Sequence, residues 1–226
     1  FGCESGRALR EYARSIELVL AALGLEQGAR IGLSALAPRV WLKAVEGAGL
    51  VPVLVDVHPS NPTINAAAVA AVHAESPLSA LVAIHSLGYL ADLRALLELG
   101  IPVVEDMGQA FGHKASTFAA GSLGNFVILS MESDGIVTAG GGCLVFARGR
   151  RESQALSRAA DDLDPGVWMG DVNAALARAQ VSEAPAFLER RKELRTLFAR
   201  ALLRGHHRVL APLDDQEEPV ATLPVI

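Results

Sequence analysis

The sequence is short of lysine, cysteine and aromatic residues. Among 226 residues there are three lysines, Lys43, Lys114 and Lys192, two cysteines, and 5% Phe, Trp and Tyr. Cys3 and Cys143 lie far apart and in no ligand spacing. That excludes a disulfide scaffold and a structural metal module and suits a reducing compartment, so no metal site is expected. No apolar run approaches the roughly 20 residues that a membrane-spanning helix needs, and no basic-then-apolar opening reads as a signal peptide. The expected location is cytoplasmic, with no membrane partner. Positive charge is in deficit too, 20 Lys and Arg against 25 Asp and Glu, for a net charge of −5. A duplex-binding protein needs a basic face, so nucleic acid is not an expected partner. The chain opens on Phe1 and stops at Ile226 in an apolar run, and we expect it to be a piece of something longer.

What is present is apolar residue, 51% of the chain, punctuated by 21 Gly and 11 Pro. This is the composition of an α/β protein with one large domain and part of a second. Strand-like and helix-like segments alternate, the pattern of parallel strands joined by helical crossovers. Residues 7–24 read as a helix stopped by Gly24, Arg30–Ser34 as a strand, and 40–47 as a helix. Val51–Val57 reads as a strand covered on both faces, and the alanine-rich stretch 64–74 as a helix. Further strands are expected at Leu81–His85, Ile101–Asp106, Asn125–Ser130 and Cys143–Ala147, with a helix over Ala91–Leu99 and a glycine-rich loop from Gly135 to Gly142. From Arg151 the chain reads as helical, most clearly over 186–204. There Leu188, Leu194, Leu197 and Phe198 share a face opposite a solvated run of charge from Glu189 to Arg195. Ligands of open parallel sheets bind beyond the carboxyl ends of the strands. The residues to weigh are therefore His85, Glu105 to Gln109 and Ser130 to Asp134.

Five stretches, in order, carry a resemblance. They are Val51 to Val57 ending in Val-Asp-Val; Ala83-Ile84-His85-Ser86-Leu87-Gly88; Pro102-Val103-Val104-Glu105-Asp106-Met107-Gly108-Gln109-Ala110; Gly121 through Ser130 with the later Gly140-Gly141-Gly142; and Met169 to Leu176. Together they resemble, over about residues 12–204, the DegT/DnrJ/StrS-type sugar aminotransferases. The resemblance implies a three-layer α/β/α fold with a mostly parallel sheet, the large domain of a fold-type-I aminotransferase. It places that domain at 1–182 and the start of a small C-terminal domain at 183–226. It also implies a pyridoxal phosphate cofactor and a dimer, either a homodimer or a heterodimer with an active homologue. In such a site a strand-end carboxylate holds the pyridinium nitrogen protonated. Asp106 takes that position, with Gln109, Ser130 and His85 as the other candidate cofactor-binding residues. Read without the family, Asp106 is a loop or N-cap carboxylate and Gln109 a surface amide.

The resemblance also demands an amine, which forms the covalent link to the cofactor and then moves the substrate proton. Aligned on the glycines, Asp134 stands at that lysine's position; aligned on Ser130, Ser133 or Asp134 does. No lysine lies between 115 and 191. The phosphate turn is altered as well. It falls on Glu11-Tyr12-Ala13, a carboxylate where free N–H groups at a helix start favour an anion; Ser5-Gly6-Arg7 lies further upstream. The segment that would stack an aromatic on the ring reads Pro38-Arg39-Val40, next to Trp41. Gly166-Val167-Trp168 replaces the Asn and Arg of the partner-subunit loop. The expectation is a binding or scaffolding homologue without transaminase activity, with no catalytic residue, no bound cofactor, and room for a small-molecule ligand. Two alternatives remain open. One is a lysine-independent dehydratase using pyridoxamine phosphate on nucleotide sugars, with Asp134 or Glu132 as base because no histidine falls between 114 and 205. The other is a conventional aminotransferase whose Schiff-base lysine is one that the motif alignment does not locate.

Overall fold

Strand and helix alternate into one seven-stranded sheet with helices on both faces. The computed structural model describes residues 2–202, 205, 207, 209–213, 216 and 219. In chain order the elements are β1 (Ser5–Leu9), α1 (Tyr12–Leu23), β2 (Arg30–Ser34), α2 (Arg39–Gly47), β3 (Val51–Val55), α3 (Ala66–Glu75) and β4 (Ala80–Ile84). There follow α4 (Leu93–Leu97), β5 (Val103–Asp106), β6 (Phe126–Ser130), β7 (Cys143–Ala147), α5 (Arg150–Asp161) and α6 (Asp171–Leu202). The strand order is β1-β7-β6-β5-β4-β2-β3. The pairs from β3 through β6 are parallel, and β7 runs antiparallel to both β6 and β1. The three-layer α/β/α arrangement with a mostly parallel sheet is as the sequence implies. Beyond β2 the chain goes out to β3 and returns on the other side as β4, so the winding reverses between β2 and β4.

Alternate residues of each strand feed two cores. On one face Leu33, Ile84, Val104, Ile128 and Val145 pack under Ile16 of α1, Trp41 of α2 and Leu156 of α5. On the other, Leu81, Ala83 and Val103 meet Val69 of α3 and Leu96 of α4, while Val127 and Leu129 meet Met107 and Ala177 of α6. Full burial of a side chain such as Leu33 is worth about 2 kcal/mol. No helix among the described residues is long and apolar enough to cross a membrane.

Several sequence expectations need correction. Residues 7–24 are not one helix: Ser5–Leu9 is a strand paired with Cys143–Ala147, and α1 begins only at Tyr12. That pairing spans most of the chain, and local periodicity carries no trace of it. The expected stop does hold, with Gly24 in the left-handed conformation (φ 61°, ψ 37°) donating its N–H to the Ala21 carbonyl. Val51–Val57 is not covered on both faces. The strand stops at Val55 on the sheet edge, with Val51 45% and Leu54 59% exposed. Asn65 caps α3, so that helix starts at Ala66, and the helix expected over Ala91–Leu99 shrinks to five residues behind the Asp92 cap. The helix expected over 186–204 is the second half of α6, which runs through residue 182 without a break; positions 203 and 204 lie outside the described residues. The shared apolar face there is largely open, with Leu197 58% and Phe198 62% exposed.

Candidate active-site cleft

The carboxyl ends of β2, β4, β5 and β6 open into a cleft of about 510 Å³ beside the point where the winding reverses. Pro38 and Val40 after β2, Ile84 of β4, Asp106 and Gln109 at β5, and Ser130 at the end of β6 form its walls. Glu132 and Asp134 enter from the loop after β6, and Tyr12 closes one side from the start of α1. Four sequence candidates, Asp106, Gln109, Ser130 and Asp134, thus share one cavity. His85 does not reach it.

His85 is fully buried beneath the sheet's carboxyl edge. Its Nδ1 accepts the Ala91 N–H at 3.0 Å, which leaves Nε2 as the protonated nitrogen facing Glu105 Oε1 at 2.9 Å. Glu105 also accepts from the backbone N–H groups of Gly121 (2.5 Å), Leu123 (3.2 Å) and Gly124 (2.8 Å). Burial pushes the Glu105 carboxyl up, but the hydrogen bond from His85 and the Gly124 and Gly121 N–H groups outweigh it. Its pKa ends below the ordinary glutamate value. Arg148 holds the other side of the same turn, donating to the Gly124 and Gly121 carbonyls at 2.9 and 2.7 Å. The His85–Glu105 pair is an anchor for the 121–124 turn.

Asp106 points to the opposite face, into the cleft. Oδ1 accepts the Gly108 N–H at 3.2 Å, the loop-carboxylate role that the sequence also allowed. Oδ2 accepts from the Tyr12 hydroxyl and, at 2.9 Å, from Trp41 Nε1, which itself lies 2.8 Å from the Tyr12 oxygen. Burial pushes the Asp106 carboxyl above its ordinary value despite these three donors. The Tyr12 phenol is pushed well above its own value by burial of the group and by the neighbouring Asp106 charge, so it stays a donor. Neither Tyr12 nor Trp41 stood among the sequence candidates. The nearest signals were Tyr12 within the altered phosphate turn and Trp41 next to the stacking position. Trp41 does not stack into the cleft: its ring is fully buried under α1, and only the N–H edge faces Asp106.

Gln109 is exposed and turns its Oε1 to the Leu87 N–H at 2.6 Å. Leu87 is the one described non-glycine residue with a positive φ, 57°. Beyond Ser130, the loop carrying Glu132 and Asp134 is folded back on itself. Ala139 N–H and the Thr138 hydroxyl both donate to the Met131 carbonyl, and Asn173 of α6 donates to the Ala139 carbonyl at 2.7 Å. Gly166-Val167-Trp168 lies along the outer edge of β1, with Arg10 N–H on the Val167 carbonyl and Met169 N–H on the Ala8 carbonyl.

No lysine lines the cleft among the described residues. Lys43 lies in a separate groove between α1 and α2, Lys114 in a bridge with Ala119, and Lys192 in an exposed pair with Glu189.

The sequence pattern of the DegT/DnrJ/EryC1/StrS aminotransferases matches residues 8–226. The chain belongs to this family. An L-glutamine:2-deoxy-scyllo-inosose aminotransferase of Micromonospora echinospora is 30% identical over 211 residues, which is 90% of this chain and 48% of that relative. The structure of DesV from S. venezuelae, in complex with a ketimine intermediate, superposes with a TM-score of 0.88 at 21% identity, covering 99% of this chain and 64% of DesV. Spr1654 from Streptococcus pneumoniae in its PLP form gives 0.86 at 16% identity, covering 99% of this chain and 66% of that one. At these identities the superpositions establish the fold. The chain spans about half the length of the curated relative and about two thirds of the solved ones.

Pyridoxal phosphate, the cofactor that the family implies, does not fit the residues present. The cleft lining offers no amine and no cation among the described residues, only the carboxyl groups of Asp106, Glu132 and Asp134 to meet a phosphate dianion. Glu11, at the N-cap of α1 next to the cleft residue Tyr12, is a further carboxylate and makes no side-chain cap bond. Both Asp106 carboxyl oxygens already accept protein donors, Oδ1 from the Gly108 N–H and Oδ2 from Tyr12 and Trp41.

Proposed function

We propose that this chain is a non-catalytic aminotransferase-family domain that binds or scaffolds rather than transaminates, pairing with a second copy or with an active homologue. The reading is carried by Asp134: a carboxylate opens onto the cleft where the resemblance asks for the lysine amine, and all three lysines lie elsewhere. Without that amine there is no covalent attachment and no group to carry the proton between substrate and cofactor. Support also comes from the acidity of the lining, which opposes a phosphate.

The test is titration with pyridoxal phosphate and with pyridoxamine phosphate, followed by visible absorbance and thermal melting, with borohydride reduction and peptide mapping on the same samples. The expected result is no bound-cofactor band, no thermal shift and no modified lysine. A modified lysine would restore the conventional aminotransferase. A thermal shift with pyridoxamine phosphate alone would move the chain to the lysine-independent dehydratases. Size-exclusion chromatography and pull-down test the pairing: a dimer or a co-purifying family member is expected, and a lone monomer without partners would end that part of the proposal.

A further inference from the structure

Asp106 is present where the family places its ring-binding carboxylate, so loss of the amine alone leaves ring recognition possible. Its surroundings say otherwise. Three elements converge on one carboxylate: Tyr12 is the first residue of α1, Trp41 lies in the first turn of α2, and Asp106 ends β5. Each fold element presents one polar atom, and the three atoms form a closed triangle. The indole N–H faces both the phenol oxygen and Oδ2, the phenol O–H donates to Oδ2, and Gly108 N–H takes Oδ1. Asp106 is 4% exposed and Trp41 fully buried, so water is kept from the triangle except along the half-buried Tyr12. A pyridinium N–H reaching for Oδ2 from the cleft would have to displace the Tyr12 hydroxyl and compete with the indole for that oxygen. A buried donor left without a partner is penalised more than a made bond gains.

We propose that Tyr12 and Trp41 act as specificity-determining residues that shut Asp106 to a ring nitrogen, so the cleft refuses pyridine-type cofactors independently of the missing lysine. Tyr12 is held as a donor by the same burial and charge that raise its pKa, so the closure persists through neutral and mildly alkaline pH. The inference rests on the non-catalytic reading and deepens it, since it locates a second barrier in residues that the absent amine does not involve.

Pyridoxamine is the probe, because it carries the pyridine ring, needs no lysine and has no phosphate to be repelled. Its affinity is measured by equilibrium dialysis and thermal shift for the whole chain, for Tyr12→Ser/Trp41→Phe, and for the same double variant carrying Asp106→Asn. The expected pattern is no detectable binding to the wild type, a gain of at least about tenfold on opening the triangle, and loss of that gain when Asp106 is neutralised. Binding to the wild type as tight as to the double variant, or no gain in the double variant, overturns the proposal. Should the double variant fail to fold, Tyr12→Phe replaces it: raised affinity supports the closure and unchanged affinity overturns it. Failure of the non-catalytic reading would look different, as a borohydride-fixed lysine in the wild type.

Discussion

Glu105 and Asp106 are consecutive residues of one strand, and they end on opposite faces of one sheet with their carboxyl pKa values shifted in opposite directions. Glu105 receives one imidazole N–H and three backbone N–H groups and its pKa is lowered; Asp106 receives one hydroxyl, one indole N–H and one backbone N–H and its pKa is raised. Both are buried, so burial alone cannot explain the difference. The number of donors and the histidine decide it: Glu105 gains more from its partners than burial takes away, and Asp106 gains less. The first carboxylate holds the fold together. The second is a charge that the fold carries at the mouth of its cleft, at some expense of stability.

Breaking the Glu105 side should have the largest effect. Glu105→Gln keeps the shape but turns an amide NH₂ toward donors, leaving His85 Nε2–H or the turn N–H groups without an acceptor. A loss of about 3–5 kcal/mol is expected in urea unfolding, with amide exchange accelerating first at Gly121 to Gly124. A loss under about 1 kcal/mol would show that the anchor is not made in solution.

The Asp106 side should respond less and with the opposite pH dependence. Asp106→Asn removes a costly buried charge while leaving the Trp41 N–H poorly satisfied, for a net change of about 1–2 kcal/mol near neutral pH. A lowered carboxyl pKa means stability that is present above the ordinary glutamate value and lost as pH falls through the depressed folded value. The advantage of wild type over Glu105→Gln should therefore shrink in acid. A raised carboxyl pKa means stability that is full below the ordinary aspartate value and lost as pH rises through the elevated folded value. Wild type should therefore gain on Asp106→Asn as pH falls from neutral. Urea midpoints across a pH series read both slopes, and slopes of the same sign would erase the contrast between the two carboxylates.

The two sides were unequally legible in the sequence. Six of the seven strands are legible in the sequence, four of them (β3, β4, β6 and β7) as largely apolar runs of five residues. The carboxylates at the end of Val103–Asp106, and the gathering of Asp106, Gln109, Ser130 and Asp134 at one sheet edge, follow from strand ends in a parallel sheet. β1 was hidden, because Ser-Gly-Arg-Ala-Leu has no strand signature and is fixed by a partner nearly 140 residues away. Edge exposure of Val51–Val55 was hidden for a similar reason: five apolar letters do not say whether a helix covers both faces. Tyr12 and Trp41 are 29 residues apart and reach Asp106 from 94 and 65 residues away, so no local spacing could join them. His85 was placed at the right strand end, but the direction of its ring depends on Ala91 and Glu105, which only the fold brings to it.

The smallest expected effect belongs to Gln109, which stands between the two sides in function. The resemblance casts it as a cofactor contact, while its Oε1 is bonded to the Leu87 N–H, whose backbone is in the left-handed region. A leucine there costs about 1 kcal/mol relative to an ordinary conformation, and the side-chain acceptor offsets part of it. Gln109→Ala should lower stability by about 0.5–1.5 kcal/mol, and Leu87→Gly in the same background should restore part of the loss by removing the steric penalty. If Gln109 instead serves the cleft, Gln109→Ala will leave stability unchanged, and Leu87→Gly will have the same effect in both backgrounds. A double-mutant cycle in urea separates these outcomes: coupling between positions 87 and 109 places the glutamine with the fold, as Glu105 is, and additivity places it with the cleft beside Asp106.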